Sequence, residues 1–137
     1  MGLRKEVESV KVSEYFEKTA GMGVLATADV TGLVDAAIYA HPHFIDEETV
    51  AFIMAERLTH QNLESNPNAV YLFKEAGEHY QGKRLYLKKI NDVKDAALVK
   101  ELRRKQHPDK SRIHPDENKH VVYFRIERER PLVGDGD

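Results

Sequence analysis

The chain has 137 residues, with 21 Lys and Arg against 23 Asp and Glu and no cysteine at all. That length suits one domain with a real hydrophobic core, and the near-balanced charge argues against a nucleic-acid protein held mainly by electrostatics. Without thiols, disulfides, thiolate metal sites and cysteine nucleophiles are excluded together. No apolar run approaches a membrane span, and the polar start Met1 to Glu6 has no signal-peptide core, which points to a cytoplasmic protein. Met1-Gly2 is not followed by the Ser or Thr that a myristoylation site wants.

In chain order, Ser13 to Ala20 is expected as a short helix with Ser13 as its N-cap and Gly21 as its stop. Met22 to Ala28 is a small-residue, branched apolar run too short for a helix, and so a buried strand. Asp29-Val30-Thr31-Gly32 supplies a turn into a second strand, Leu33 to Ala40, making an antiparallel hairpin. His41-Pro42-His43 breaks that strand, and Asp46-Glu47-Glu48 turns the chain into a third, Thr49 to Met54.

A short helix comes next, with Thr59 as expected N-cap, because its hydroxyl can accept from a free amide of the first turn. Pro67 pushes Asn66 out of helical geometry and closes it. A fourth strand spans Ala69 to Phe73, Glu75 to Gly82 is a loop, and Lys83 to Ile90 alternates basic and apolar residues like a half-exposed strand. Asn91 or Asp92 is expected to cap a helix from Val93 to Lys105, with Val93, Ala97, Leu98 and Leu102 as its apolar stripe. His107 to Asn118 is a proline-punctuated, mobile loop, and His120 to Ile126 is the last strand. From Glu127 the chain is charged and then Gly-rich; 1–130 is read as the domain and 131–137 as a flexible tail. About six strands without regular intervening helices predict a mainly β chain, a six-stranded antiparallel split β-barrel with flanking short helices.

Few constellations carry chemistry. Gly21-x-Gly23 precedes a strand, so it is no dinucleotide fingerprint, and no hydrolytic triad can be assembled. His41, His43 and His60 border one end of the expected barrel and offer a metal or haem reading, weighed against solvated loop histidines. A basic helix ending in His107-Pro108-Asp109 resembles the J-domain co-chaperone signature, but the apolar helix that must follow is missing, and a turn explains the tripeptide better. The strongest local signal is Arg57 beside the hydroxyl of Thr59 at a helix start: cation, hydroxyl and free amides together suit a phosphate. An ordinary capped turn with a surface arginine is the alternative.

The ordered segments Gly23 to Thr27, Gly32 to Ala37, Val50 to Met54, Arg57-Leu58-Thr59-His60-Gln61-Asn62-Leu63 and Asn66 to Phe73 resemble the pyridoxamine 5′-phosphate oxidase-related FMN-binding split-barrel family. The likeness covers Met22 to Ile90 and extends to the last strand, and it rests above all on Arg-x-Thr-x-x-Asn-Leu-x-x-Asn-Pro. It implies a homodimer with FMN between subunits and a flavin phosphate on Arg57 and Thr59, with His60 and Gln61 as nearby donors. It also implies a flavin ring against Ala37, Ile38, Tyr39, His41, Phe52, Met54 and Ala55, and Lys83 and Arg84 reaching a phosphate across the dimer. Many members place lysine where this chain has Thr59, so the charge falls to Arg57 and a cross-dimer cation. Phe124 to Arg130 lacks the arginine and histidine segment with which the true oxidases grip their substrate, so the resemblance stops short of pyridoxamine phosphate. The reading is a flavin-dependent oxidoreductase of unknown substrate with no nameable catalytic residue, NAD(P)H being a possible electron donor. A non-enzymatic flavin carrier and a haem or metal barrel are the alternatives, and a deazaflavin in the same groove stays open.

Overall fold

Asp29 builds the first turn: its carboxylate accepts from the Thr31 amide, the Thr31 hydroxyl and the Leu33 amide, while Gly32 takes the left-handed conformation (φ +92°) that a side chain would strain. The turn joins β1 (Gly21–Ala28) to β2 (Val34–Tyr39) in the expected antiparallel hairpin, with Thr27 opposite Asp35 and Gly23 opposite Tyr39. The structure, a computed structural model, describes residues 11–106 and 118–134. The amino-terminal Met1-Gly2, the expected loop from His107 with its His-Pro-Asp, and the end of the tail lie outside the described residues.

The other strands are β3 (His43–Asp46), β4 (Thr49–Ala55), β5 (Asn68–Glu75), β6 (Gly82–Val93) and β7 (Lys119–Pro131). All seven form one antiparallel sheet in the order β2-β1-β5-β6-β7-β4-β3. The class is the expected one, with a seventh strand. Residues 43–46 are too few to show a period, and they become a strand only by pairing with β4, His43 opposite Ala51. Two strands also run longer than expected. β6 absorbs Asn91 and Asp92, and β7 runs on past the expected end at Ile126 through the charged Glu127–Arg130 segment.

Among the described residues there are three helices: α1 (Val12–Lys18), α2 (Leu58–Ser65) and α3 (Ala96–Gln106). Their caps differ from those expected. Lys11 precedes α1, and Ser13 instead gives its amide and hydroxyl to the Glu47 carboxylate. Gly21 does not stop α1 but opens β1, where a Cβ would lie 2.6 Å from the Phe73 ring. Asp95, not Asn91 or Asp92, caps α3 by accepting from the amides of Ala97 and Leu98 at 3.0 and 3.1 Å.

Alternation along the strands places Leu25, Tyr71, Phe73, Leu85, Phe52, Met54, Val122 and Phe124 in the main core, all buried. The Phe52 ring meets Tyr39 at 5.8 Å and Tyr71 at 5.1 Å, so β4 and β2, from opposite ends of the sheet order, face each other across that core. The sheet is curled into a split barrel. Tyr71 lies over Gly23, where a Cβ would sit 1.9 Å from its oxygen, and its phenol donates to the Ala40 carbonyl at 2.9 Å. Glycine at 23 is therefore what lets that phenol tie down the end of β2.

α1 inserts Phe16 among His41, Phe44, Tyr71 and Phe73. α2 touches β1, β2 and β4 and bridges the two sides of the split, with buried Asn62 donating to buried Thr27 at 3.1 Å. α3 lies on the opposite surface of the sheet, packing Val99 and Leu102 onto Ala51 and Val121.

Candidate functional site

The corner where β4 hands over to α2 is built by three residues. Arg57, extended at φ −129° and ψ −163°, is the residue before the helix, so Thr59 lies inside the first turn and is not the N-cap. The first intrahelical bond runs from the Gln61 amide to the Arg57 carbonyl at 2.9 Å. The amides of Leu58, Thr59 and His60 therefore have no acceptor within the helix and stand at its positive end. Asn66 leaves the helix in extended geometry just before Pro67, as expected.

Thr59 is buried, and its hydroxyl bonds the Tyr39 phenol, which enters from β2 across the split. Burial pushes the Tyr39 phenol above its ordinary pKa; the Thr59 bond opposes this, Asp35 adds to it, and the nearby Arg57 guanidinium works against it. The corner thus joins a guanidinium, a hydroxyl, a phenol that stays neutral and a helix start, a donor set that fits a phosphate monoester.

Of the expected ring-binding stretch, Ala37 and Tyr39 are half-buried on the inner side of β2, while Ile38 points outward at 71% exposure. Phe52 and Met54 are buried in the core and Ala55 is half-buried at the end of β4. His41 gives Nε2 to the Thr19 carbonyl at 2.7 Å and packs against Phe16 and Phe73. Gln61 is exposed. Lys83 and Arg84 sit on β6, three places from β2 in the sheet. Lys83 pairs with Glu129 at 3.2 Å and lies over Tyr15, and Arg84 donates to the carbonyls of Pro131 and Gly134.

The histidines regroup. His41, His43 and His60 do not converge; among the described residues the metal-ligand types that come together are His60, Asp92 and His120. His60 Nε2 donates to one Asp92 oxygen at 2.7 Å, His120 Nδ1 to the other at 2.6 Å, and His120 Nε2 to Glu56 at 2.7 Å. Burial works against a charged His120, yet Glu56 and Asp92 outweigh it and hold its pKa above the ordinary value. Burial likewise opposes ionisation of Asp92, and the two imidazoles outweigh that and hold it low. Sequence reasoning missed Asp92, His120 and Glu56. They lie 28 to 64 positions apart in their contacts, so no local spacing marks them.

A curled seven-stranded antiparallel sheet with a short helix bridging its two sides defines a class of fold, the split β-barrel. No protein-family model and no curated protein matches the chain. Solved structures do. An FMN-binding protein from Syntrophomonas wolfei superposes with a TM-score of 0.70 at 18% identity, over 97% of this chain and 96% of that one. An F420 reductase gives 0.65 at 19% identity, over 85% and 94%. A Listeria innocua protein provisionally assigned as a pyridoxamine 5′-phosphate oxidase gives 0.65 at 15% identity, over 89% and 95%. The chain has the fold of these three proteins, and the split barrel that the sequence resemblance implies is the fold observed.

Proposed function

We propose that this chain binds a flavin-type cofactor, FMN in the first instance, at a site completed by a second copy, and serves as a flavin-dependent oxidoreductase. The observation that carries the reading is the Arg57–Thr59–Tyr39 corner: a donor-rich helix start between β4 and α2, in a fold shared with an FMN-binding protein and an F420 reductase. Arg57 and the open amides suit the phosphate. Ala37 on the inner side of β2 offers little side chain to hold a planar ring away from the backbone. The flavin supplies the electron chemistry, and the protein binds, orients and shields it.

The second copy is supported by the outer surface of the β2-β1-β5 half. Cross-strand rows there read Ile38–Val24–Leu72 and Ala36–Ala26–Val70, with Ile38 and Val34 more than two-thirds exposed. An open hollow of about 430 Å³ lies among Ala26, Ala28, Val34, Val70 and Tyr86. A contiguous apolar surface of this kind marks an association face. The resemblance gives Lys83 and Arg84 the role of cross-dimer cations; being adjacent on β6 they point to opposite faces, so at most one of them serves a given phosphate.

Purified protein should carry yellow colour and flavin absorption, with mass spectrometry of the released cofactor separating FMN from a deazaflavin. Arg57→Ala should weaken FMN by roughly 1.5–3 kcal/mol, the worth of a charge-assisted contact. Unchanged affinity relocates the phosphate. Rapid anaerobic bleaching by NADPH or NADH marks a reductase; a flavin that stays oxidised marks a carrier or another donor.

A further inference from the structure

His60, Asp92 and His120 come from three different elements, α2, β6 and β7, and bring one ligand atom each to within 4.8 Å of one another. Neither imidazole is a surface group: the side chains of His60 and His120 keep 7% and 12% exposure. Behind His120 stands Glu56, which takes its other ring nitrogen at 2.7 Å and is itself paired with Lys94 at 3.4 Å. A carboxylate on the far nitrogen of a histidine is the outer-shell arrangement that fixes ring orientation and raises basicity in metal sites.

We propose that His60 Nε2, His120 Nδ1 and an Asp92 carboxylate oxygen form a three-ligand site for a divalent transition-metal ion, zinc(II) fitting best, with Glu56 as the residue that positions His120. Two nitrogens and one oxygen suit zinc and its neighbours in the first transition row; magnesium and calcium want oxygen alone. Three protein ligands leave a coordination position for water, and Asp92, at 23% side-chain exposure, gives that position access to solvent. The ion takes the place of the hydrogen bonds that now link the imidazoles to Asp92. With ligand bonds of about 2 Å, those contacts need open by only about 1 Å. The site stands apart from the flavin reading: the resemblance makes His60 a nearby phosphate donor, but its Nε2 bonds Asp92 at 2.7 Å, and neither Asp92 nor His120 is assigned to phosphate or ring.

The test is calorimetric titration of the chelator-treated full chain, with whatever flavin it retains, using zinc(II) and then cobalt(II). One equivalent per chain is expected, with visible cobalt bands and paramagnetically shifted proton resonances from two imidazoles in the unmutated protein. Glu56→Gln should weaken zinc by about 10–100-fold. Asp92→Asn and His120→Gln should weaken it further, and His79→Ala, in an exposed loop, should leave it unchanged. Absence of stoichiometric binding overturns the proposal. So does a count of shifted imidazoles other than two, or unaltered affinity in folded Asp92→Asn and His120→Gln chains.

Discussion

One sheet presents two outer surfaces of opposite fate. Over β4 and β7, Ala51, Ile53, Val121 and Tyr123 lie beneath α3, whose Val99 is fully buried. Over β2, β1 and β5, the equivalent layer of Val34, Ile38, Val24 and Leu72 has no covering element among the described residues. Both surfaces are apolar, so composition does not separate them. What separates them is connection: the chain leaves β6 through Asp95, turns into α3 and returns along β7, so the helix can only fall on the half where it is tethered. The uncovered half is the face on which the proposed second copy would bury apolar surface.

Breaking the covered half should have the largest effect. Val99→Asp places an unpaired carboxylate between α3 and the sheet, at a cost of about 4 kcal/mol or more. Urea unfolding should show the loss, and a change under 1 kcal/mol would mean that α3 does not seal that face. The mirror-image change, Ile38→Asp, should leave the unfolding of the isolated chain within about 0.5 kcal/mol, because the site is already exposed. Its effect belongs to assembly. Analytical ultracentrifugation should show dimer association weakened by about a hundredfold, equivalent to about 2.7 kcal/mol, as a desolvated charge at an interface centre demands. A dimer indifferent to Ile38→Asp moves the interface elsewhere. Asp95→Ala is the finest probe: losing the cap on α3 should cost about 1 kcal/mol and loosen the covered half without touching the bare one. Amide exchange along β4 and β7, but not β1 and β2, should quicken.

Much of the local architecture was legible in the residues. Asp29 to Gly32 announces a turn because one carboxylate can bind three donors and one glycine can adopt positive φ. Pro67 ends α2, and the alternation along β5 and β6 assigns their inner faces. These are short-range consequences of sterics and period. The Arg57–Thr59 signal was also local, and its partners in the chain were adjacent enough to be read as one anion-binding turn.

The remainder needed the closed sheet. Asp92 looks like a helix cap in sequence, but pairing with Val122 makes it a strand residue and sends its carboxylate to His60 and His120. Thr59 reads as a cap until β2 curls round and offers Tyr39 to its hydroxyl. His43–Asp46 is a strand only because β4 lies beside it. Turns, periods and stops come from interactions between neighbours a few residues apart, which the chain carries wherever it goes. Which charges meet, and which apolar surface is left bare, depends on strand register and on where connections are tethered, and both are set when distant segments compete for the same core.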